Sequence, residues 1–131
     1  MQNKEKDMEE EKEEKVLFFC THAGDDPEKA SIPFVMAGAA LAMDIKAIIA
    51  LQGKGVELAQ KGYAGKMLGT EFPPMKKLLD DFLELGGKLW VCVPCIKGRN
   101  IEESDLVEGC EFVAAGLLNT EALEADAVFT Y

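Results

Sequence analysis

Two cysteines three residues apart, Cys92 and Cys95, stand where an apolar run meets a proline. The run is Leu89–Val93, the proline is Pro94, and Lys97 and Arg99 follow with Gly98 between them. A thiolate, not a thiol, is the nucleophile and the metal ligand, and nearby cations and free backbone N–H groups favour it. In an extended strand Cys92 shares a face with Trp90, while Leu89, Val91 and Val93 take the other. Its place at the strand end, beside Lys97 and Arg99, makes it the candidate reactive thiol and the one expected to alkylate first. Cys95 has the spacing of a resolving thiol or a second acceptor.

The remaining candidates are more modest. Cys20 lies in an apolar run and reads first as a small core residue. His22, the one histidine, sits in a loop, where it is either an acid/base or a solvated or capping side chain. Cys110 follows Gly109 and reads as structural. A structural zinc site takes four ligands, and one C-x-x-C supplies two, so zinc is not favoured. Gly53-Lys54-Gly55 is too short for a phosphate loop, and no G-x-G-x-x-G follows a strand. No nucleophile elbow surrounds a serine.

Composition narrows the classes further. The chain has 131 residues, enough for one domain with a real core. The net charge of −10 excludes the clustered cations that phosphate backbones require. Residues 1–14 are a Lys/Glu block too poor in apolar content to offset its own ordering, and are expected to form a charged, flexible tail. No apolar run reaches membrane-spanning length, and no apolar signal core follows the charged start. The expectation is a cytoplasmic protein whose four cysteines are thiols.

The elements that must hold these residues can be placed by pattern. Lys15–Thr21, Ile45–Leu51 and Leu89–Val93 read as strands covered on both faces. Glu111–Ala115 and Ala127–Tyr131 read as a fourth and a fifth strand. Asp26 and Pro27 can open a helix running to about Met43. Pro33 then either kinks that helix or marks a second start capped by Ser31. Val56–Lys61 suits a short helix, and Met75–Leu85 carries one apolar stripe before Gly86, a left-handed cap. Asn100 and Glu103 resemble a capping box for a helix over 101–108, and Thr120–Glu124 gives a brief helical turn. Strands alternating with helices predict a mainly parallel sheet of about five strands with helices on both faces. Reactive groups then gather at the carboxyl rim, which holds Cys20, His22, Gln52, Gly53, Cys92 and Cys95.

Over residues 15–131 this order of elements resembles the DsrE/DsrF-like family, which includes TusD-type sulfur-relay subunits. The resemblance rests on Thr21-His22-Ala23-Gly24-Asp25-Asp26-Pro27-Glu28 before an Ala-rich helix, and on Leu89–Ile101. The closing Ala127-Val128-Phe129-Thr130-Tyr131 completes it. It implies a single three-layer α/β/α sandwich that assembles as a homotrimer or homohexamer. It also implies that Cys92 carries sulfane sulfur as a persulfide between a donor and an acceptor protein, with no bound cofactor. Cys95 departs from the pattern of a single relay cysteine. It leaves room for a dithiol redox protein, and a non-catalytic oligomeric binding subunit of the same fold is the third alternative.

Overall fold

The computed structural model describes residues 13–131; the tail expected over 1–14 lies almost wholly outside them. Five strands form one sheet: β1 (Lys15–Cys20), β2 (Lys46–Leu51), β3 (Lys88–Cys92), β4 (Cys110–Val113) and β5 (Ala127–Thr130). Their order is β4-β3-β2-β1-β5, and every neighbouring pair is parallel. The carboxyl ends of all five strands therefore share one rim.

One face of the sheet is covered by α1 (Pro27–Ala42) and α2 (Met75–Glu84). Phe34, Ala37, Leu79 and Phe82 pack there with Phe18, Ile49, Leu51, Leu89 and Val91. Phe34 and Phe82 meet edge to face, with ring centroids 5.6 Å apart, a geometry that adds about 0.5–1.5 kcal/mol beyond burial. Asp26 caps α1 by accepting the Lys29 N–H at 3.1 Å, and Pro27 occupies the first turn. Pro33 neither ends the helix nor restarts it. The Ser31 hydroxyl donates to the Pro27 carbonyl at 2.7 Å instead of capping a second helix, and α1 is continuous. Gly86 ends α2 with φ +91°, and the Gly87 N–H returns to the Phe82 carbonyl at 2.9 Å.

The opposite face is covered by a single helix, α4 (Ala115–Glu124), whose Leu118 packs on Leu17, Ile48, Ala50, Trp90 and Val113. A full helix here replaces the brief turn expected over Thr120–Glu124. Topology explains the extra length. β4 and β5 stand at opposite edges, four strand spacings or about 19 Å apart, and a ten-residue helix covers about 15 Å of that. Lys15 fixes the far end, pairing through Nζ with Glu121 at 3.1 Å and Glu124 at 3.3 Å. Leu117 and Val128 on this face remain exposed, as do Phe112 and Phe129 at the edges of the α1/α2 face, where Phe129 stacks on Phe18 at 5.4 Å. Trp90 is 5% exposed, and its Nε1 has no hydrogen-bond partner among the described residues.

At the carboxyl rim β2 runs into a 3₁₀ stretch, η1 (Gly53–Ala59), a tighter form of the helix expected nearby. A further 3₁₀ turn, η2 (Ala64–Lys66), interrupts the irregular segment before α2. Gly55 presses on the end of β1: a Cβ there would overlap the Cys20 carbonyl oxygen. Gly55→Ala is therefore expected to cost about 1–3 kcal/mol, as overpacking against backbone does. Urea unfolding reads this directly, and an unchanged midpoint would mean that the loop yields freely.

Candidate functional site: a thiol pair at the rim of the sheet

β3 ends at Cys92, and the next residue begins a one-turn helix, α3 (Val93–Lys97), with Pro94 in its first turn. Pro94 has no N–H to give a strand ladder, but the first turn of a helix needs none. Cys92 is thus both the last strand residue and the helix N-cap, with φ −67° and ψ 118°. Cys95 follows one turn later. Their Sγ atoms lie 2.8 Å apart, within hydrogen-bond reach. The bend also moves Cys92 off the face of Trp90. It packs in the cluster containing Leu89 and Val91, because strict alternation stops where the strand does.

The two sulfurs have different surroundings. Cys92 is 9% exposed, whereas Cys95 is half-buried. The Cys95 Sγ accepts the backbone N–H of Gly53 at 3.3 Å, a bond delivered from the start of η1. Burial pushes the Cys92 thiol above its ordinary pKa, and the hydrogen bond to Cys95 pushes it further. The Cys95 backbone N–H, which faces the thiol without making a full capping bond, and the Arg99 charge pull the other way and lose. The cationic flank therefore does not produce the lowered Cys92 pKa that its sequence suggests. Removing a thiolate from water costs more than a partly solvated guanidinium returns.

The loops after β2 and β3 are stitched together, which fixes Gly53 against Cys95. The Val107 N–H bonds the Ala59 carbonyl at 2.8 Å, the Lys61 N–H bonds Asp105, and Lys61 Nζ reaches the Ser104 carbonyl at 3.0 Å. No helix forms over 101–108. Asn100 adopts φ +56° and the Ile101 N–H bonds the Ile96 carbonyl at 3.0 Å, so Asn100 ends α3 instead of starting a helix. The capping box sits two residues later, on Glu102 and Asp105, and holds only the 3₁₀ turn η3 (Glu103–Asp105).

The other candidates do not join the pair. Arg99 Nη1 donates to the Cys95 carbonyl at 3.2 Å and so braces α3. Lys97 is exposed and lines a separate hollow with Ile96, Ile101 and Glu102. Cys20 is fully buried, its thiol donating to the His22 carbonyl at 3.5 Å, and burial pushes its pKa to about 12. Cys110 starts β4 opposite Leu89, three registers below Cys92, and burial raises its pKa to about 11. Among the described residues, no three His, Cys, Asp or Glu side chains are grouped as metal ligands. Sequence reading places Gly53 on the same rim through the glycine break after β2, but gives no sign that its N–H is the donor to Cys95.

His22 lies two strands from β3, a backbone separation of roughly 10 Å. It forms its own pair, Nδ1 to Asp25 Oδ2 at 2.9 Å, while Asp25 Oδ1 accepts the Ala23 N–H at 2.8 Å. The Ala23 N–H, and then His22, hold the Asp25 carboxyl down at about 2 against an ordinary 3.8. A depressed carboxylate stabilises the fold above its unfolded pKa and loses that contribution as pH falls. Stability should therefore drop between pH 3.8 and about 2 as Asp25 protonates. Asp25→Asn is expected to flatten that part of the acid-unfolding profile, and an unchanged profile would remove Asp25 from the acid response.

The DsrE/DsrF-like family model matches residues 14–131. Two uncharacterized proteins of Methanocaldococcus jannaschii are similar in sequence. MJ0760 is 37% identical over 114 residues, which cover 81% of this chain and 42% of the relative, so the chain spans less than half of that protein. MJ0989 is 32% identical over 117 residues, covering 89% of this chain and 99% of the relative. Among solved structures, the ychN protein of E. coli superposes with a TM-score of 0.76 at 20% identity, over 90% of this chain and 99% of ychN. MTH1491 of Methanobacterium thermoautotrophicum, a protein of unknown function, gives 0.69 at 13% identity, over 89% of this chain and 99% of its own. These two likenesses are of fold. The match across nearly the whole chain, together with the all-parallel sheet and its order of elements, makes this protein a member of the DsrE/DsrF-like family.

Proposed function

We propose that this protein is a sulfur-relay carrier that holds sulfane sulfur as a cysteine persulfide on the Cys92/Cys95 pair. A donor protein would supply the sulfur, and an acceptor cysteine would receive it. The observation that carries the reading is the pair itself: two thiols 2.8 Å apart at the carboxyl rim of a parallel sheet, one of them half-buried and bonded by a backbone N–H. Ligands and reactive groups collect at that rim in open α/β sheets. Family membership adds support, because the resemblance to sulfur-relay members puts their persulfide cysteine at this same strand end, where the pair sits. The reading places the protein in the cytosol, where thiols stay reduced.

The test is mass spectrometry after incubation with a cysteine desulfurase and cysteine. Wild type should gain one or more sulfur masses, and the Cys92→Ser/Cys95→Ser double variant should gain none. Equal gain in the double variant, or none in wild type, defeats the proposal.

The 2.8 Å contact also favours a second reading, a dithiol/disulfide redox protein, since little movement separates the pair from a disulfide. Measured redox equilibria decide between the two: a pair that cycles with thioredoxin-like ease and takes up no sulfur belongs to the second.

We propose in addition that the chain works as a homotrimer or homohexamer. Exposed Phe112, Val128 and Phe129 on the two edge strands, and Leu117 on α4, support this. Light scattering should give three or six times the chain mass of 14.3 kDa, and a monomer would end that proposal.

A further inference from the structure

We propose that Cys95 is the nucleophile that meets the incoming sulfur, and that Cys92 keeps its proton and acts as hydrogen-bond donor to the Cys95 thiolate. This assignment takes its substrate, a persulfide, from the sulfur-relay reading. Three features of the pair point to it.

Access comes first: Cys95 is half-buried on a one-turn helix, whereas Cys92 is closed in by the α1/α2 core cluster. A donor's sulfur reaches the first without disturbing that core. The second is the placement of donors. A thiolate at Cys95 receives the Gly53 N–H at 3.3 Å and has the other sulfur 2.8 Å away, so two donors converge on it. The third is the direction in which the pair ionises. Burial and the Cys95 contact both raise Cys92 above its ordinary value, which favours the proton's staying on Cys92.

The exchange balances without an oxidant. The Cys95 thiolate attacks the outer sulfur of a donor persulfide R–S–S–H. A Cys95 S–S bond forms, the donor S–S bond breaks, and its electron pair leaves on the thiolate R–S⁻. The transferred sulfur keeps its proton and its oxidation level, giving Cys95–S–S–H. An acceptor thiolate reverses the same displacement and restores the Cys95 thiolate. Cys92 is a positioning residue in this scheme, touching Cys95 and not the donor.

Native alkylation with iodoacetamide across a pH series, with each cysteine mapped by mass spectrometry, tests the assignment on the whole chain. Cys95 should react first in wild type, roughly tenfold or more ahead of Cys92. Cys92→Ala removes the donor and should move the midpoint of Cys95 alkylation up by about one pH unit, the size expected for a lost bond to a charged group. Cys92→Ser keeps an O–H donor and should restore most of that shift, which a merely structural role would not. Cys92 reacting first, or a Cys92→Ala midpoint equal to wild type, overturns the assignment.

Sulfur loading separates this failure from that of the relay reading. With the desulfurase, Cys95→Ser should load less than a tenth as fast as wild type, while Cys92→Ser should carry its adduct on Cys95. Wild type that loads on Cys92 overturns the assignment and leaves the relay. Wild type that never loads, with Cys95 still alkylating first, sinks the relay and leaves Cys95 as the pair's nucleophile.

Discussion

The change from strand to helix at Cys92 is the constraint on which the site depends. A parallel strand carries its hydrogen bonds to the last paired residue, and β3 pairs with β4 up to Cys92 opposite Val113. Pro94 cannot extend that ladder, yet its fixed φ suits the first turn of a helix. The chain therefore turns within one residue, and a C-x-x-C that would splay its thiols along a strand instead stacks them one helical turn apart. Strand, proline and second cysteine are one device.

That device works only because a neighbouring loop is held against it. The Gly53 N–H reaches Cys95 from the segment after β2, and the segment after β3 ties back to η1 through Ala59, Lys61 and Leu106. Gly55 allows the same segment to lie flat on the end of β1. The sulfur environment is thus assembled from three consecutive strand ends, and sheet order 3-2-1 brings them side by side.

Much of this was legible in the sequence, and the exceptions have physical causes. Strands β1, β2 and β3 are apolar runs because both faces of the sheet are covered there, and α2 carries a single apolar stripe before a glycine. Asn100 was misread because asparagine satisfies both an N-cap and a left-handed helix end, and only the Ile101–Ile96 bond decides between them. α4 was underestimated because its length answers to the distance between the sheet's edges, which no local window contains. The thiol pair was legible, but the different surroundings of its two sulfurs were not. Those depend on burial by α1 and α2 and on an amide from another loop, both properties of the folded chain.

Trp90 offers a use that has nothing to do with chemistry. It is the only tryptophan, and it lies two residues before Cys92 on the same strand, yet it packs in the second cluster under α4. Its buried indole N–H has no partner among the described residues, so its emission is set by how closely α4 and its neighbours exclude solvent. Fluorescence from this chain is therefore a built-in gauge of one face of the sheet alone, while the thiols report on the other. The two layers can be followed separately in a single unlabelled sample.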